Sequence, residues 1–377
     1  MSNEVLMEKV IALNYSEEDL RIRGSSATVR NCPECNRTWK FNINLAKGVC
    51  RCPACDWSGS AVALHSKLRG ITRDAAYAEL CDSAVPVIKK VYTKEIETAS
   101  PMVRSAVYMR MINAGELNQK HYDNLIERGL SSQSVKGRYA SCSSIPSAEK
   151  VFKGIPKLFY NSTSDTVKGV PGVFGNVKYD VATDNELFDE IEFNLPNNGF
   201  IIPIVSHEGE RMRISCCQIR MDKGDTRYIF LSSINKKNGV SVGDCNKIHY
   251  TRNFWQDGKM VIPKVVCMTE GPLKADVASE LSGKYFIAIP GVNACGNLEE
   301  ELVFLKNHGC EKIELYFDMD YKTNEYVEKA IKRIGKMVSG VGFKGEQMIW
   351  DPAYKGIDDW FLARKMRRDK ALEKKKG

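Results

Sequence analysis

Two short cysteine pairs constrain the fold of this chain more than any other feature. The first is Cys32-Pro-Glu-Cys35 and the second is Cys52-Pro-Ala-Cys55. Each pair can give two thiolates to one ion, and a hairpin between the pairs would bring all four together in the tetrahedral arrangement of a zinc ribbon. We therefore predict one Zn²⁺ held by these four cysteines. Disulfides or buried apolar cysteines are the alternatives.

The predicted zinc site is structural, because four protein thiolates leave no coordination position open. The cysteine segment is too small for a core of its own, so metal binding would supply much of its folding free energy. Cys50 lies out of register with the Cys-x-x-Cys pattern, and we interpret it as a free thiol. His65 is expected on the surface of a helix rather than among the ligands.

Cysteine use also indicates the compartment. The 377 residues include 13 cysteines, and five of them fall between Cys32 and Cys55. This distribution favours a reducing compartment with one metal cluster over a disulfide framework. No apolar stretch reaches the ~18 residues that span a bilayer, and the first residues carry acids without a cleavable pattern. We therefore predict a cytoplasmic protein with no membrane partner.

The formal net charge of +8 favours a polyanionic partner. Basic and aromatic side chains alternate around the cysteine pairs, a combination that suits single-stranded nucleic acid through phosphate attraction and base stacking. The alternative is that the aromatic rings pack a small core of the ribbon itself. The residues concerned are Arg30, Arg37, Trp39, Lys40, Phe41, Lys47, Arg51 and Trp57.

The C-terminal third of the chain alternates strand and helix patterns. An apolar run at 265–269 ends at Glu270, and Gly271-Pro272 then opens a helical pattern. Alternation of this kind predicts a largely parallel sheet covered by helices, which is an α/β architecture. Further strands are predicted at 285–289, 312–317 and 346–350, and further helices at 302–307, at 325–336 and from about 358.

Carboxylates follow two of these predicted strands. Glu270 ends one strand, and Asp318 and Asp320 follow another. Open α/β sheets place their chemistry at the carboxyl ends of strands. Clustered carboxylates resist ionisation unless a cation compensates them, and oxygen ligands suit Mg²⁺ or Mn²⁺. The sequence therefore predicts a divalent-cation site. A pair of such ions could activate a hydroxyl and neutralise a triphosphate.

Basic residues mark the predicted strands of the middle region. The stretch 211–220 alternates, which places Arg211 and Arg213 on one strand face. Arg220, Arg227 and Tyr228 follow. Basic residues on successive strand faces predict a surface that tracks phosphates. A solvated sheet face is the alternative.

These motifs resemble those of DnaG-type and phage primases. The cysteine pairs and the helix pair after them resemble the zinc-binding domain, and Arg128-Gly-Leu-Ser131 resembles the start of the polymerase domain. Strand-Glu-Gly followed by strand-Asp-x-Asp resembles a Toprim domain. Lys355-Gly-Ile-Asp358-Asp359 resembles the Lys-Asp-Pro-Asp element that closes the primase version, although the proline is absent here. The resemblance covers about 28 to 365 and is looser in the middle.

The resemblance implies roles for particular residues. Glu270, Asp318 and Asp320 would be catalytic, and these three with Asp358 would hold Mg²⁺ or Mn²⁺. Lys274 would contact phosphate, unless it is a solvated helix residue. The full set implied to bind template or nucleotide is Arg211, Arg213, Arg220, Arg227, Tyr228, Lys274 and Lys355.

Six segments are predicted along the chain. They are an N-terminal extension (1–26), a zinc-binding ribbon with a helix pair (27–81), a linker (82–100), an α+β primase subdomain for template and nucleotide (101–260), a Toprim α/β domain (261–364) and a basic tail (365–377). The fold class is thus multidomain α/β with an N-terminal zinc ribbon.

The predicted function is a DNA primase of the phage or mobile-element type, a nucleotidyltransferase that makes short RNA primers on single-stranded DNA from nucleoside triphosphates. A Toprim nuclease or topoisomerase-like enzyme is one alternative, and a non-catalytic zinc-ribbon accessory that binds DNA is another. No Gly-x-x-x-x-Gly-Lys-Ser/Thr motif occurs, so the replicative helicase is expected to be a separate partner. If the gene is phage-encoded, the location is the cytoplasm of the bacterial host.

Overall fold

The computed structural model describes residues 3–23, 26–82, 96–152, 167–180, 185–224, 226–234, 236–243, 245–291, 296–319 and 325–376. The chain divides into two compact units, Met1–Glu95 and Ile96–Gly377. Most of the predicted linker, residues 83–95, lies outside the described ranges. None of the helices within these ranges is long and apolar enough to cross a membrane.

Both units contain helices and strands. The helices in the described part of the chain are α1 (Asn3–Asn14), α2 (Ala61–Arg69), α3 (Arg73–Asp82), α4 (Pro101–Ala114), α5 (Gln119–Glu127), α6 (Ser132–Val135), α7 (Ala148–Phe152), α8 (Pro272–Ser282), α9 (Leu298–Asn307), α10 (Glu325–Gly340) and α11 (Ile357–Lys376). The strands are β1 (Leu20–Arg23), β2 (Ser26–Asn31), β3 (Thr38–Asn44), β4 (Val49–Arg51), β5 (Ser58–Ser60), β6 (Ala140–Ser141), β7 (Val173–Asp180), β8 (Asn185–Phe193), β9 (Phe200–Glu208), β10 (Arg211–Arg220), β11 (Tyr228–Phe230), β12 (His249–Tyr250), β13 (Trp255–Gln256), β14 (Lys259–Met260), β15 (Val265–Glu270), β16 (Phe286–Ile289), β17 (Lys312–Leu315) and β18 (Lys344–Gln347).

The first unit is an antiparallel sheet in the order β1-β2-β3-β4-β5, with α1, α2 and α3 beside it. Its strands alternate, so Val29 and Phe41 are buried cross-strand neighbours. Helix α1 adds Met7 and Val10 to the same hydrophobic cluster. The predicted boundary between residues 26 and 27 falls between the first two residues of β2, which is a strand of the ribbon sheet. The N-terminal helix supplies core that the cysteine segment alone lacks.

The middle of the second unit is built on a four-stranded antiparallel sheet in the order β11-β10-β9-β6. Helix α4 packs on β10, and its Ser100 cap accepts a hydrogen bond from the Val103 N–H at 3.4 Å. The fully buried Tyr108 of α4 donates its hydroxyl to the Pro171 carbonyl at 2.8 Å. A separate pair, β7 and β8, forms an antiparallel ribbon.

The second sheet of this unit has the order β12-β16-β15-β17-β18, and the last four of these strands run parallel. Both faces are covered. Val266 and Met268 of β15 share a core with α9 and α10, whereas Cys267, from the opposite face, shares a core with α8 and α11. A strand buried on both faces reads as a continuous apolar run, which is why the 265–269 pattern does not alternate.

The predicted α/β class is confirmed. The strand ending at Glu270 is β15, and Pro272 opens α8 as expected from its fixed φ and missing N–H. The remaining predicted strands and helices of the C-terminal third correspond to β16, α9, β17, α10, β18 and α11, with ends that differ by a few residues. The last strand is shifted toward the N-terminus, because β18 pairs with β17 from Lys344.

Candidate active site and metal centre

Four cysteine thiols converge in the first unit. Cys32 Sγ lies 3.8 Å from Cys55 Sγ, and Cys35 Sγ lies 3.8 Å from Cys52 Sγ. All four sulfur atoms are within 4.8 Å of one another. A tetrahedron of sulfurs around Zn²⁺, at a Zn–S distance of about 2.3 Å, has edges of about 3.8 Å. The predicted ligands are therefore the ones that the fold brings together, at a spacing that fits Zn²⁺.

Each cysteine pair lies in its own backbone turn, and the two turns are of the same kind. The N–H groups of Cys32 and Cys52 each donate to the carbonyl five residues ahead, at 3.1 and 2.8 Å. The residue after each pair has a left-handed backbone, with φ of 55° at Asn36 and 58° at Asp56. Asn and Asp tolerate this conformation better than other residues with a Cβ. Asn36 and Asp56 are thus residue types that suit the left-handed backbone at the end of each turn.

The thiols differ in how readily they ionise. A hydrogen bond from the Arg37 backbone N–H lowers the pKa of Cys35 to about 7, whereas burial raises the pKa of Cys55 to about 12. Because the metal binds thiolates, Zn²⁺ would stabilise an ionised form that burial otherwise disfavours. Cys50 lies outside the ligand set, as predicted. Its buried thiol donates to the Gly59 carbonyl at 3.2 Å, and burial raises its pKa to about 12.

His65 is not on the helix surface as expected. It is fully buried, with Nδ1 3.0 Å from Asn14 Nδ2 and Nε2 2.9 Å from Glu79 Oε2. The ring joins α1, α2 and α3 and is not a zinc ligand. The correction arises because α1 covers this part of α2.

The outward face of the ribbon sheet carries a polar row. Cross-strand neighbours follow one another across all five strands, and Thr28 donates its hydroxyl to Asn42 Oδ1 at 3.1 Å. Beside the row, the Arg21 guanidinium stacks 3.7 Å from the centre of the half-exposed Trp39 ring. By contrast, Phe41 is buried, so the alternative that ribbon aromatics pack its core holds for that ring. The row consists of Arg21, Thr28, Asn42, Arg51 and Ser58.

Glu270 lies at the carboxyl end of β15, where it was predicted. It is half-buried and lies opposite Ile289 of β16. Gly271 has φ of 85°, and its N–H donates to the Ile289 carbonyl at 2.7 Å. A residue with a Cβ is strained at this φ, so glycine permits the sharp change from strand to helix.

Asp318 lies three residues beyond β17, the neighbour of β15, and is mostly buried. Lys274, from the first turn of α8, donates Nζ to Asp318 Oδ1. The prediction that Lys274 contacts phosphate is not tested by this pairing, but the alternative of a solvated helix residue is excluded. Asp320 lies outside the described residues, and its metal role stays a prediction.

Asp358 is buried in the first turn of α11. Its Oδ2 accepts a hydrogen bond from Arg128 Nη2 at 2.7 Å. Burial raises the pKa of Asp358, opposed by the nearby charges of Arg128 and Lys274 and reinforced by those of Asp359 and Asp318. Asp358 therefore lies within electrostatic reach of Asp318, and the charges of Arg128 and Lys274 offset the repulsion between the two carboxylates.

The loop before α11 is joined to the end of β17. The Met319 N–H donates to the Lys355 carbonyl at 3.0 Å, which brings the predicted closing element beside Asp318. A Cβ at Gly356 would collide with the Asp358 carboxylate. Glycine is therefore needed at 356 for the close approach of this carboxylate. The phosphate contact predicted for Lys355 remains a prediction.

The acidic residues do not form a compact ligand set by themselves. Within the described ranges, the cysteine cluster is the one group of three or more His, Cys, Asp or Glu residues with ligand atoms within 4.8 Å of one another. The oxygen-only donors nevertheless fit Mg²⁺, which retains several waters and takes only one or two carboxylates directly. The acids fit a hydrated ion better than a fully protein-coordinated one.

The basic residues predicted in the middle region separate into two groups. Arg211 and Arg213 begin β10, where Arg213 Nε donates to Glu208 Oε2 at 2.8 Å. Arg220 ends the same strand, about 30 Å away at ~3.3 Å per residue. It pairs across the sheet with Tyr228, with Arg227 next in the chain.

Of these two groups, the Arg220 group (Arg220, Arg227 and Tyr228) is the one that packs toward α8. This helix begins at the acidic edge, which is formed by Glu270, Asp318 and Asp358. The Arg220 guanidinium lies 5.7 Å from the centre of the Phe200 ring. Phe200 belongs to the hydrophobic cluster that includes Leu273 and Val277 of α8. Arg220 therefore lies at the end of β10 that packs toward Leu273 of α8, whereas Arg211 and Arg213 lie at the other end of the strand. Their phosphate contacts remain predictions.

Two features of this region were missed in the sequence. Arg128 was noted only as part of a motif, because nothing local connects it with Asp358, 230 residues away. The second is the fully enclosed carboxylate of Asp276, which accepts from Arg138, from Tyr139 Oη at 2.8 Å and from His249 Nε2 at 3.0 Å. Asp276 reads as an ordinary polar residue of a helix, and its partners are distant in the chain.

Comparisons with known proteins give matches of two kinds. Residues 254–367 match a family described as a domain of unknown function, DUF3854. No curated protein is similar enough to match. Among solved structures, the zinc-binding and RNA polymerase domains of the Aquifex aeolicus primase are 16% identical, with 98% of this chain and 84% of that chain covered and a TM-score of 0.45.

Two further solved structures are similar at lower identity. The DnaG catalytic core is 13% identical, with 73% of this chain and 79% of that chain covered and a TM-score of 0.43. The primase fragment of the bacteriophage T7 primase-helicase protein is 13% identical, with 92% of this chain and 97% of that chain covered and a TM-score of 0.33. All three of these structures are of primases or parts of primases.

Proposed function

We propose that this chain is a DNA primase of the phage or mobile-element type, which joins ribonucleotides on a single-stranded DNA template. One observation carries the proposal: Asp318 with Lys274, and Asp358 with Arg128, meet at the carboxyl edge of a parallel sheet. The four-cysteine centre in the same chain selects a primase among the activities that such a sheet supports.

The acidic edge supplies ligands for divalent cations. Asp318, Glu270 and Asp358, together with Asp320, would hold Mg²⁺ or Mn²⁺. When bound, the ions supply positive charge for a triphosphate and favour ionisation of an attacking hydroxyl. Whether Glu270 acts as a ligand or transfers a proton is left open by its half-buried position at the strand end.

Lys274 and Arg128 orient the phosphates of the incoming nucleotide in this proposal. Both already lie beside carboxylates, so their charged groups face the place where the acids would hold cations. Arg128 presents a planar fork that matches two phosphate oxygens, while Lys274 acts as a point charge. Lys355 is proposed to add a third positive charge from the neighbouring loop.

Template contacts are assigned to two surfaces. In the ribbon, the polar row offers hydrogen-bond donors and acceptors for base edges, and Trp39 offers a half-exposed ring for stacking. In the second unit, Arg220, Arg227 and Tyr228 would contact the phosphates nearer the acidic edge. Arg211 and Arg213 would contact a more distant part of the strand. The helicase that supplies this template would be a separate chain.

Primer synthesis tests the proposal directly. Wild-type protein, single-stranded DNA, ribonucleotides and Mg²⁺ should yield short RNA without an added primer, and Asp318→Asn should abolish it. Glu311→Gln is the matched control, because that acid forms an exposed ion pair with Lys264 on the same sheet. DNA cleavage without RNA on any template would identify a nuclease instead. RNA made equally well by Asp318→Asn would refute the site assignment.

A further inference from the structure

We infer that α11 carries a further surface for single-stranded DNA, separate from the polar row of the ribbon and from Arg220, Arg227 and Tyr228. This surface, the α11 stripe, consists of Tyr354, Trp360, Arg364, Arg367 and Lys374. The inference rests on the proposed function for the identity of the polyanion. Its evidence is the charge, exposure and side-chain stacking of the helix.

Helical spacing places the stripe on one face. Residues 360, 364, 367 and 374 recur at intervals of four, three and seven, which lie within about 40° of one direction at 3.6 residues per turn. Helix α11 has 20 residues and is about 30 Å long. A strand of nucleic acid following this face would therefore meet several positive charges in succession.

Charge and exposure make the outer part of α11 a polyanion surface. Every residue from 364 to 374 is exposed. These eleven residues include six basic and two acidic side chains, a net charge of +4. The sequence predicted a basic tail over these residues. In the structure they are the outer part of α11, the helix that also carries Asp358. Fixed spacing along a helix distinguishes this surface from a solvated tail.

Two arginines of the stripe lie within cation–π distance of aromatic rings. The Arg364 guanidinium lies 6.0 Å from the centre of the Trp360 ring. Arg367 Nη2 donates to Tyr354 Oη at 3.0 Å, and its guanidinium lies 5.9 Å from the centre of that ring. The Tyr354 and Trp360 rings lie 5.5 Å apart. Both rings are half-exposed.

Proteins that bind single-stranded DNA combine arginine with exposed aromatic rings, because bases stack on the ring and phosphates pair with the cation. An acidic protein surface would satisfy the charges but would leave the rings without stacking partners. A bilayer would satisfy the charges but would require a continuous apolar face, and the stripe alternates rings with arginines. These features favour single-stranded DNA as the occupant.

The stripe also begins next to the acidic edge. Trp360 follows Asp358 by two residues, and the backbone N–H of Trp360 donates to the Gly356 carbonyl at 3.2 Å. The loop that carries Tyr354 is the one whose Lys355 carbonyl contacts Met319. A DNA strand held by the α11 stripe would therefore have one end close to Asp318 and Asp358.

Binding of labelled oligo(dT) by the full-length protein tests the inference, measured by fluorescence anisotropy without nucleotides or divalent cations. Arg364→Gln/Arg367→Gln should weaken binding. Since each phosphate contact to a single strand contributes about 0.7 to the slope of log affinity against log salt, the slope should fall by about 1.4. The matched control is Lys332→Gln/Lys336→Gln, which removes two exposed charges from α10 of the same unit.

A second variant tests the aromatic component. Trp360→Leu should lower the affinity by at least about fivefold with the salt slope nearly unchanged, because it removes stacking and not charge. An unchanged slope in the arginine variant would overturn the inference, as would an equal loss in the α10 control. Binding to anionic vesicles in preference to oligo(dT), lost in the same arginine variant, would assign the surface to membrane. Failure of primer synthesis with these binding results intact would refute the proposed function alone.

Discussion

In the four-cysteine centre, every ligand comes from a stretch of 24 residues, 32–55. At the acidic edge, the charged groups that meet come from positions 128, 274, 318 and 358. The four cysteine thiols contact one another, whereas each buried aspartate at the acidic edge has a basic partner. We therefore expect the first centre to depend on a bound metal for its stability and the second to be stabilised by the protein's own ion pairs.

The largest effect is expected from breaking the cysteine centre. Cys32→Ser/Cys55→Ser should remove the zinc, from near one per chain to near zero, and unfold the first unit, because a structural site contributes its binding free energy to folding. Metal analysis and circular dichroism measure both outcomes. Cys50→Ser is the matched control, since that thiol lies outside the ligand set. Zinc retained by the double variant would refute the assigned ligands.

The stability of the second unit should depend on a buried carboxylate, that of Asp276, and should not change when metal is removed by a chelator. Asp276→Ala leaves Arg138 buried without its partner, which costs about 3–5 kcal/mol of the free energy of unfolding. Urea denaturation of the full chain measures it. The exposed pair of Glu311 and Lys264 provides the control, and Glu311→Gln should leave the stability nearly unchanged. An equally small effect of Asp276→Ala would contradict the importance of the buried network.

The same carboxylate predicts a pH dependence. Burial alone would raise the pKa of Asp276, but Arg138 and His249 outweigh it and lower the pKa below its usual value. A carboxyl with a lowered pKa stabilises the folded state above its unfolded value of about 3.9, and that contribution is lost as the pH falls through the folded pKa. The difference in stability between wild type and Asp276→Asn should therefore persist at neutral pH and shrink only below about pH 4.

A smaller effect on activity alone is expected at Arg128. Arg128→Ala should lower primer synthesis by about 10–100-fold, the range typical of residues that orient groups at a metal site. Zinc content should not change. Lys120→Ala, which removes an exposed cation from the neighbouring α5, should leave the rate near that of wild type. Equal rates for all three proteins would show that Arg128 has only a structural role.

The smallest effect is expected on the outward face of the ribbon. Asn42→Ala removes one exposed amide and should weaken binding of single-stranded DNA about fivefold, equivalent to about 1 kcal/mol for one hydrogen bond. Asn42→Asp should weaken it further, since a negative charge repels phosphate. Anisotropy and zinc analysis together separate this from unfolding. Unchanged affinity in both variants would remove the polar row from the template surface.

The contrast between the two centres also explains which residues the sequence could reveal. The convergence of the four cysteines was predictable because two Cys-x-x-Cys turns and one hairpin determine their geometry locally. The parallel sheet was predictable because strands buried on both faces are continuously apolar. Glu270 and Asp318 were identified as ends of such strands. Their convergence could be expected from the sheet, but their distances could not.

Partners distant in the chain were not predictable. Arg128 meets Asp358, and Arg138 meets Asp276, only after helices from the middle region pack on the sheet. His65 was expected on a surface because the helix that buries it, α1, carries no motif. The sequence pattern placed Arg211, Arg213 and Arg220 on strand faces, but it did not indicate which elements pack against each end of β10.

The anchoring of α8 has a consequence for motion. Gly271 ties its first turn to β16, Asp276 accepts from three donors in its middle, and Glu280 accepts from Ser134 at 2.6 Å near its end. Opening such a helix exposes a buried charge, so its amide protons should exchange with solvent only through global unfolding. We therefore expect the helix that carries Lys274 to be among the least mobile elements of the described part of the chain. Rearrangements on ligand binding are expected in the loops around α8 and not in the helix itself.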